Sequence, residues 1–239
     1  MNNPASPSQK TVISIINVAK SYSRSGQKVS VLSGLNFTAT SAQTIAITGP
    51  SGSGKSTMLG LLAGLDQPDQ GTITMDGLDI TLMPQADLAA FRARTIGIVF
   101  QQFHLLQTLT ALENVSLPLE IAGTKGGILS MKAAEAEALA RLEAVGLGSR
   151  ASHLPSQLSG GECQRVAIAR ALVVKPKILL ADEPSGNLDT KTGERVTDLI
   201  FDLVRKDGTT LILVTHNEDL AKRCDHRYQL RDGQLHRAP

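Results

Sequence analysis

The sequence predicts an α/β fold in three parts: a core in which buried strands alternate with helices, a small antiparallel sheet beside it, and an inserted helical lobe. Three observations predict it. Short β-branched or apolar runs alternate with helical stretches, as they do in a layered α/β core. One such run, Thr44-Ile45-Ala46-Ile47-Thr48, feeds a Gly-rich loop and then an apolar stretch over 58–64, giving strand, loop and buried helix. Between two core strands, residues 102–172 read as almost purely helical.

Taken in order, residues 1–11 form the expected disordered leader, with no apolar stretch of the secretory kind. Runs at 11–18 and 29–40 read as strands, separated by a polar turn over 21–28 around Gly26. Residues 71–77 hold a strand followed by Asp76-Gly77, a hairpin signal that completes the small antiparallel sheet. Residues 87–94 read as a short helix, and 96–100 as an apolar strand running into Gln101. Stretches 112–121 and 132–145 are helical, the second Ala/Glu-rich, with a loop over 123–127 between them. A further helix follows Leu158-Ser159-Gly160-Gly161. Residues 177–183 form an apolar run ending in Asp182 and Glu183, suited to a strand buried on both faces of a parallel sheet. Then come an amphipathic helix over 193–206, a buried strand over 209–215 ending at His216, a short helix over 218–223 and a closing hairpin over 228–235. The expectation is a single domain over 12–239, with the β and core parts at 12–101 and 173–239 and the helical part at 102–172.

Composition narrows the function classes. Aromatic residues are only 3% with no Trp, so the core must come from Leu, Ile, Val and Ala. A net charge of +2 argues against a nucleic-acid protein that depends on a strongly basic surface. Cys163 and Cys224 have no metal-ligand spacing and read as free thiols of a reducing compartment. No apolar run approaches the ~18–20 residues that span a bilayer. A soluble cytoplasmic protein is expected, with any membrane association made through a partner.

The loop Gly49-Pro50-Ser51-Gly52-Ser53-Gly54-Lys55-Ser56-Thr57 carries the strongest chemical signal. Its glycines let consecutive backbone N–H groups turn onto one anion, and the following helix adds its dipole. In such a phosphate-binding loop Lys55 reaches the β- and γ-phosphates and Ser56 ligates Mg²⁺. The plainer alternative is a Gly/Ser turn before a helix. Asp182 and Glu183 stand at the carboxyl end of a buried strand, where open parallel sheets bind ligands. Asp182 is placed to hold Mg²⁺, and Glu183 to orient or deprotonate a water attacking the γ-phosphate. The competing reading is a pair of acids capping a strand in solvent.

Gln101 and His216 also follow buried strands. A neutral Gln can reach Mg²⁺ or the attacking water, and His216 can donate to the γ-phosphate. Loop polarity and a lone surface imidazole are the alternatives. Ser159 and Glu162 bracket two glycines as a capping box. A second anion-binding helix start, Ser159-Gly160-Gly161, would instead make half of a composite site. Tyr22, at the tip of the first β-turn, is either a surface tyrosine or a stacking platform for a nucleobase. Cys163 reads as structural, although a helix dipole could lower its pKa.

This ordered set is similar to that of ABC transporter ATPase subunits. The loop 49–57, Gln101, Leu158-Ser159-Gly160-Gly161-Glu162, the run 178–183, Ser185-Gly186-Asn187-Leu188-Asp189 and His216 resemble that family's Walker A, Q-loop, signature, Walker B, D-loop and H-loop. Phe100-Gln101-Gln102-Phe103-His104-Leu105-Leu106 and Leu112-Glu113-Asn114-Val115 resemble the lipoprotein-release and macrolide-export branch. The tail Leu220-Ala221-Lys222-Arg223-Cys224-Asp225 is similar to the YbbA-type members of that branch.

The resemblance implies a P-loop NTPase with a RecA-like core that uses ATP and Mg²⁺. It implies a head-to-tail dimer of two copies, each ATP lying between one copy's P-loop and the other's Ser159, Gly160 and Gly161. Tyr22 would stack on adenine, Glu183 would be the catalytic base, and Asp189 would couple the two sites. An integral membrane permease would dock near residues 101–115 and hold the protein at the cytoplasmic face of the inner membrane. A cargo that is lipid-linked, hydrophobic or peptide-like follows from the branch. A regulatory module controlling a cell-envelope complex without transport is the alternative. Cys163, Ser41-Ala42-Gln43 and Ser185 depart from the branch's usual residues, and none removes a catalytic group.

Overall fold

Two sheets organise the chain in the computed structural model, which describes residues 10–24, 27–123 and 130–238. The first is antiparallel. Strands β1 (Thr11–Arg24) and β2 (Gln27–Thr40) pair with each other, and β4 (Gln70–Met75) and β5 (Leu78–Asp79) extend the sheet in the order β2-β1-β4-β5. Between them in sequence lie β3 (Thr44–Thr48) and α1 (Lys55–Leu62). After them come α2 (Gln85–Thr95) and β6 (Ile96–Val99). Helices α3 (Ala111–Gly123), α4 (Met131–Ala144) and α5 (Gly160–Leu172) form the helical lobe, followed by β7 (Ile178–Asp182). The chain closes with α6 (Thr190–Asp207), β8 (Thr210–Val214), α7 (Glu218–Ala221), β9 (His226–Arg231) and β10 (Gln234–Arg237). The second sheet has the order β10-β9-β3-β8-β7-β6 and is parallel except for β10.

Alternation of side chains along the parallel strands splits the core in two. Ala46, Leu179, Ala181, Leu211 and Leu213 face the cluster shared with α3, α4, α5 and α6. Their neighbours Ile45, Ile47, Ile178, Leu180, Ile212 and Val214 face the cluster shared with α1 and the antiparallel sheet. Both faces are covered, which is why these strands read as continuous apolar runs. Helix α6 buries Val196, Ile200, Phe201, Leu203 and Val204 on one stripe. Asp189 caps its start by accepting from Thr192 N at 3.0 Å, so the helix begins three residues before the expected position.

The α/β class, the antiparallel sheet and the helical lobe are as expected, but the N-terminal region differs. Of the polar turn expected over 21–28, residues 21–24 and 27–28 are strand, with Tyr22 opposite Val29 and Ser23 opposite Lys28, while residues 25–26, around which the turn was expected, lie outside the described residues. Asp69 explains part of this, since it accepts from both Ser21 N and Ser21 Oγ at 2.9 and 2.6 Å and holds the ribbon extended. Tyr22 is therefore a strand residue rather than a turn tip. Thr11, the last residue of the expected leader, is already paired with Thr40. Residues 1–9 of that leader and residues 124–127 of the expected loop lie outside the described residues, while Gly123 ends α3. No helix among the described residues is long and apolar enough to cross a membrane.

Candidate active site

Four parallel strands end side by side, and each delivers a polar group to the same edge. In spatial order these are β3, β8, β7 and β6, leading to the P-loop, His216, Asp182 with Glu183, and Gln101. The register aligns Ile47 with Val214, Val214 with Asp182, and Ala181 with Val99.

The loop after β3 has a backbone that only glycine suits at its start. Gly49 adopts φ 144, and a Cβ there would collide with the carbonyl oxygen of Leu230. Lys55 Nζ folds back over the loop and donates to Gly49 O at 2.9 Å and Pro50 O at 2.8 Å. Ser53 Oγ is buried without a hydrogen-bond partner among the described residues. Ser56 Oγ donates to Asp182 Oδ2 at 3.1 Å. Burial raises the Asp182 carboxyl above the usual carboxylate range, and the charge of Glu183 adds to this against the bond from Ser56 and the nearby Lys55. A hydroxyl beside a carboxylate whose charge is disfavoured is a hard-oxygen pair that fits Mg²⁺, and the orphaned Ser53 hydroxyl fits a phosphate oxygen.

Glu183 sits at φ 46, a left-handed conformation uncommon for a non-glycine residue. Its own N–H donates to Val214 O at 3.0 Å. Its Oε1 accepts from His216 N at 2.8 Å and lies 2.7 Å from His216 Nδ1, and its Oε2 accepts from Thr215 Oγ1 at 3.4 Å. The carboxylate is mostly buried, with a side-chain exposure of 16%, whereas the imidazole is 73% exposed. The arrangement fixes a carboxylate beside an exposed imidazole that is tied to it at 2.7 Å. A cleft of ≈ 610 Å³ opens between these two residues and the first turns of α6, with Asp189 on its rim.

Gln101 is not brought to the Ser56–Asp182 pair. Its Nε2 donates to Asn187 Oδ1 at 3.0 Å, and Asn187 Nδ2 returns a bond to Gln101 O at 3.1 Å. The loop after β7 thus holds Gln101 by a reciprocal pair. Two residues that the sequence did not single out hold the same region from α5. Gln164, fully buried, donates through Nε2 to Pro184 O at 2.6 Å and to Phe100 O at 3.4 Å. Arg170 donates to His104 O at 2.6 Å and Phe103 O at 2.9 Å. The one available signal was a long polar side chain on the apolar face of a helix, which demands partners when buried.

The two readings of Ser159-Gly160-Gly161 can be weighed separately by residue. The capping box exists: Ser159 N and Oγ both donate to Glu162 Oε2 at 2.8 Å, and Glu162 N donates to Ser159 Oγ at 3.3 Å. These bonds hold the Glu162 carboxyl below its usual range. Gly161 has an internal reason, since a Cβ there would lie 2.5 Å from Thr192 Cγ2. Gly160 has none: a Cβ there would make ordinary contacts of 3.5 Å to Leu188 and 3.7 Å to Phe103, and the residue is exposed. Asp189 is exposed and held as a cap by Thr192, which depresses its carboxyl pKa.

Tyr22 lies beside the P-loop. Its phenol donates to Asp66 Oδ2 at 2.8 Å, the Thr57 side chain reaches the phenol oxygen itself, and the residue is 42% exposed. Cys163 fits its structural reading, and the helix start does not lower its pKa. It is buried, its Sγ donates to Pro155 O at 3.5 Å, and burial plus the charge of Glu162 push the thiol up. Burial likewise pushes Cys224 up to about 12. Both thiols of the native protein are therefore expected to resist iodoacetamide at pH 8 and to react promptly in urea, as read by mass spectrometry. The sign for stability follows from the raised pKa: the unfolded thiolate forms first as pH rises through the ordinary thiol range, so Cys224 costs stability between there and about 12.

Comparison with known proteins gives a consistent result. The family model described as ABC transporter matches residues 32–186. The lipoprotein-releasing system ATP-binding protein LolD of Syntrophus aciditrophicus is 46% identical over 94% of this chain and 98% of its own length. The uncharacterized ABC transporter ATP-binding protein YbbA of Escherichia coli K12 is also 46% identical, over 95% of this chain and 97% of its own length. Among solved structures, a dimeric post-hydrolysis state of the ATP-binding cassette MJ0796 bound to ADP and Pi is similar. It has a TM-score of 0.86 and 40% identity over 94% of this chain and 97% of that one.

Proposed function

The chain belongs to the ABC transporter family and is an ATPase of that family, and from this premise we propose that two copies close head to tail on ATP and hydrolyse it to drive a separately encoded membrane permease. The observation that carries the reading is the meeting of Lys55, the Ser56–Asp182 pair and the Glu183–His216 pair at one edge of the parallel sheet.

Each residue then has a task. The 49–57 loop binds the phosphates through its backbone N–H groups, and Lys55 exchanges its two carbonyl bonds for phosphate oxygens. Ser56 and Asp182 would hold Mg²⁺, with Gln101 able to join them once it leaves Asn187, and the ion would supply charge neutralisation at the phosphates. Glu183 takes the proton of the attacking water. His216 keeps Glu183 placed and donates to the γ-phosphate. Tyr22 stacks on the adenine. The partner copy closes the site with Ser159, Gly160 and Gly161, and Asp189 couples the two sites across the interface.

The dimeric cassette with ADP and Pi supports a dimer of two copies by similarity, and the composite site asks that the dimer be head to tail. The LolD relatives, named as ATP-binding proteins of a lipoprotein-releasing system, support a lipid-linked cargo, and we extend this to a hydrophobic or peptide-like cargo moved through the permease by extraction, export or a mechanical stroke. The protein would then work on the cytoplasmic face of the cell membrane, held there by the permease. Affinity purification from detergent-solubilised membranes tests this directly. An integral membrane protein recovered in stoichiometric amount is expected; recovery of the chain alone, with full ATPase activity in the soluble fraction, would favour a role away from the membrane.

A further inference from the structure

The Tyr22 ring is braced from below by two residues that the sequence motifs leave out. Lys20 lies two positions before Tyr22 on β1, so both side chains leave the same face of the strand. Lys20 is only 9% exposed. Its Nζ donates to Asp66 Oδ1 and to Gln67 O, both at 2.6 Å, and stands 5.1 Å from the centroid of the Tyr22 ring. The other oxygen of the same carboxylate, Asp66 Oδ2, accepts the Tyr22 phenol at 2.8 Å. One carboxylate thus ties an ammonium and a phenol together, and the ammonium backs the ring. A lysine this buried is expensive unless its charge is paired, and here all the pairing converges on the orientation of one aromatic side chain.

The brace also ties the ring to the phosphate cradle. Asp66 and Gln67 follow directly after α1, the helix whose first residue is Lys55. Thr57, in the first turn of α1, bonds the same phenol oxygen. The ring plane is therefore fixed relative to both ends of the helix that receives the phosphates.

We propose that Lys20 and Asp66 are positioning residues that lock the Tyr22 ring as a one-faced platform for the base of the nucleotide, at a set distance from the phosphate loop. The proposal rests on the reading of Tyr22 as the base platform. Lys20 fills one face and leaves the other for a purine, so base recognition here requires the Lys20–Asp66 pair as well as the aromatic ring. Removing either partner leaves the ring attached but free to tilt.

Equilibrium binding of two probes to the nucleotide-free protein tests this: ATP, and inorganic tripolyphosphate, which has no base. Tyr22→Ala is expected to weaken ATP by roughly 10-fold or more and to leave tripolyphosphate unchanged. Lys20→Met and Asp66→Asn are expected to weaken ATP by several-fold, again with no change for tripolyphosphate, and Lys20→Met added to Tyr22→Ala should cost nothing further. Tyr22→Phe, which keeps the buried pair and loses only the phenol tether, should show part of the same ATP-selective loss. Lys20→Arg should restore most of the affinity. ATP binding unaffected by Tyr22→Ala would overturn the reading of the platform, and the proposal with it. A normal Tyr22→Ala loss with wild-type ATP affinity in Lys20→Met and Tyr22→Phe would overturn the brace alone. Equal losses for both probes in Lys20→Met would make the pair a general support of the fold, which also contradicts the proposal.

Discussion

Glu183→Gln is expected to lower ATP turnover by about 10²–10⁴-fold while ATP binding survives and the ATP-bound dimer accumulates. The reasoning is local. Glu183 accepts from the His216 N–H at 2.8 Å through Oε1 and from Thr215 Oγ1 at 3.4 Å through Oε2; a glutamine carbonyl can keep the first bond, and its amide can donate to the threonine oxygen. The left-handed backbone at φ 46 is set by the strand end and its bond to Val214 O, not by the side-chain charge. What the substitution removes is a carboxylate able to take a proton. It also removes a negative charge beside Asp182, whose carboxyl that charge helps to raise. The variant should therefore fold, bind and close, but not turn over. Phosphate release and gel filtration with ATP check both halves. A variant that hydrolyses at the native rate and stays monomeric would sink the assignment of the base.

The second large effect concerns Gly160. Gly160→Gln is expected to cut ATPase activity by about 100-fold or more, on the scale of losing oriented contacts to the reacting phosphate, while each copy still binds ATP. Inside one chain the substitution is cheap, because a Cβ at Gly160 meets only ordinary contacts with Leu188 and Phe103. Ser159 and Glu162 keep their reciprocal cap. The cost therefore appears only when another copy's nucleotide must approach this helix start. Gly161→Ala provides the contrast, since its Cβ would lie 2.5 Å from Thr192 Cγ2 and press α5 against α6. That variant should lower the Tm, by an overpacking cost of about 1–3 kcal/mol. Unchanged ATPase activity in Gly160→Gln would mean that Ser159 to Glu162 form a capping box and nothing more.

Much of the site was legible because phosphate chemistry dictates local spacing. Gly49, Lys55 and Ser56 lie within one strand-loop-helix, and Lys55 finds its partners in Gly49 O and Pro50 O, close by in sequence. Asp182, Glu183 and His216 were legible because apolar strands end at them. Gln101 was legible as a position but not in its present bonding, since its partner Asn187 lies 86 residues away. Tyr22 was misplaced because polar residues at 21–28 read as a turn, whereas cross-strand pairs and Asp69 hold residues 21–24 extended. The brace of Lys20 and Asp66 spans 46 residues and depends on where the segment after α1 meets β1, which no local pattern records. Gln164 and Arg170 are of the same kind: polar residues on a buried helix face, with carbonyl partners found only after folding.

The central claim is that each ATP site is built from two copies, and mixing two inactive variants tests it most directly. Lys55→Ala removes the phosphate-binding charge, and Gly160→Gln blocks the closing helix start. In a mixed head-to-tail dimer, one site combines both defects and the other combines the intact P-loop of one copy with the intact Ser159-Gly160-Gly161 of its partner. The account predicts that the equimolar mixture hydrolyses ATP well above the sum of the two variants measured alone. A mixture no more active than that sum, from proteins shown to form mixed dimers, would contradict it.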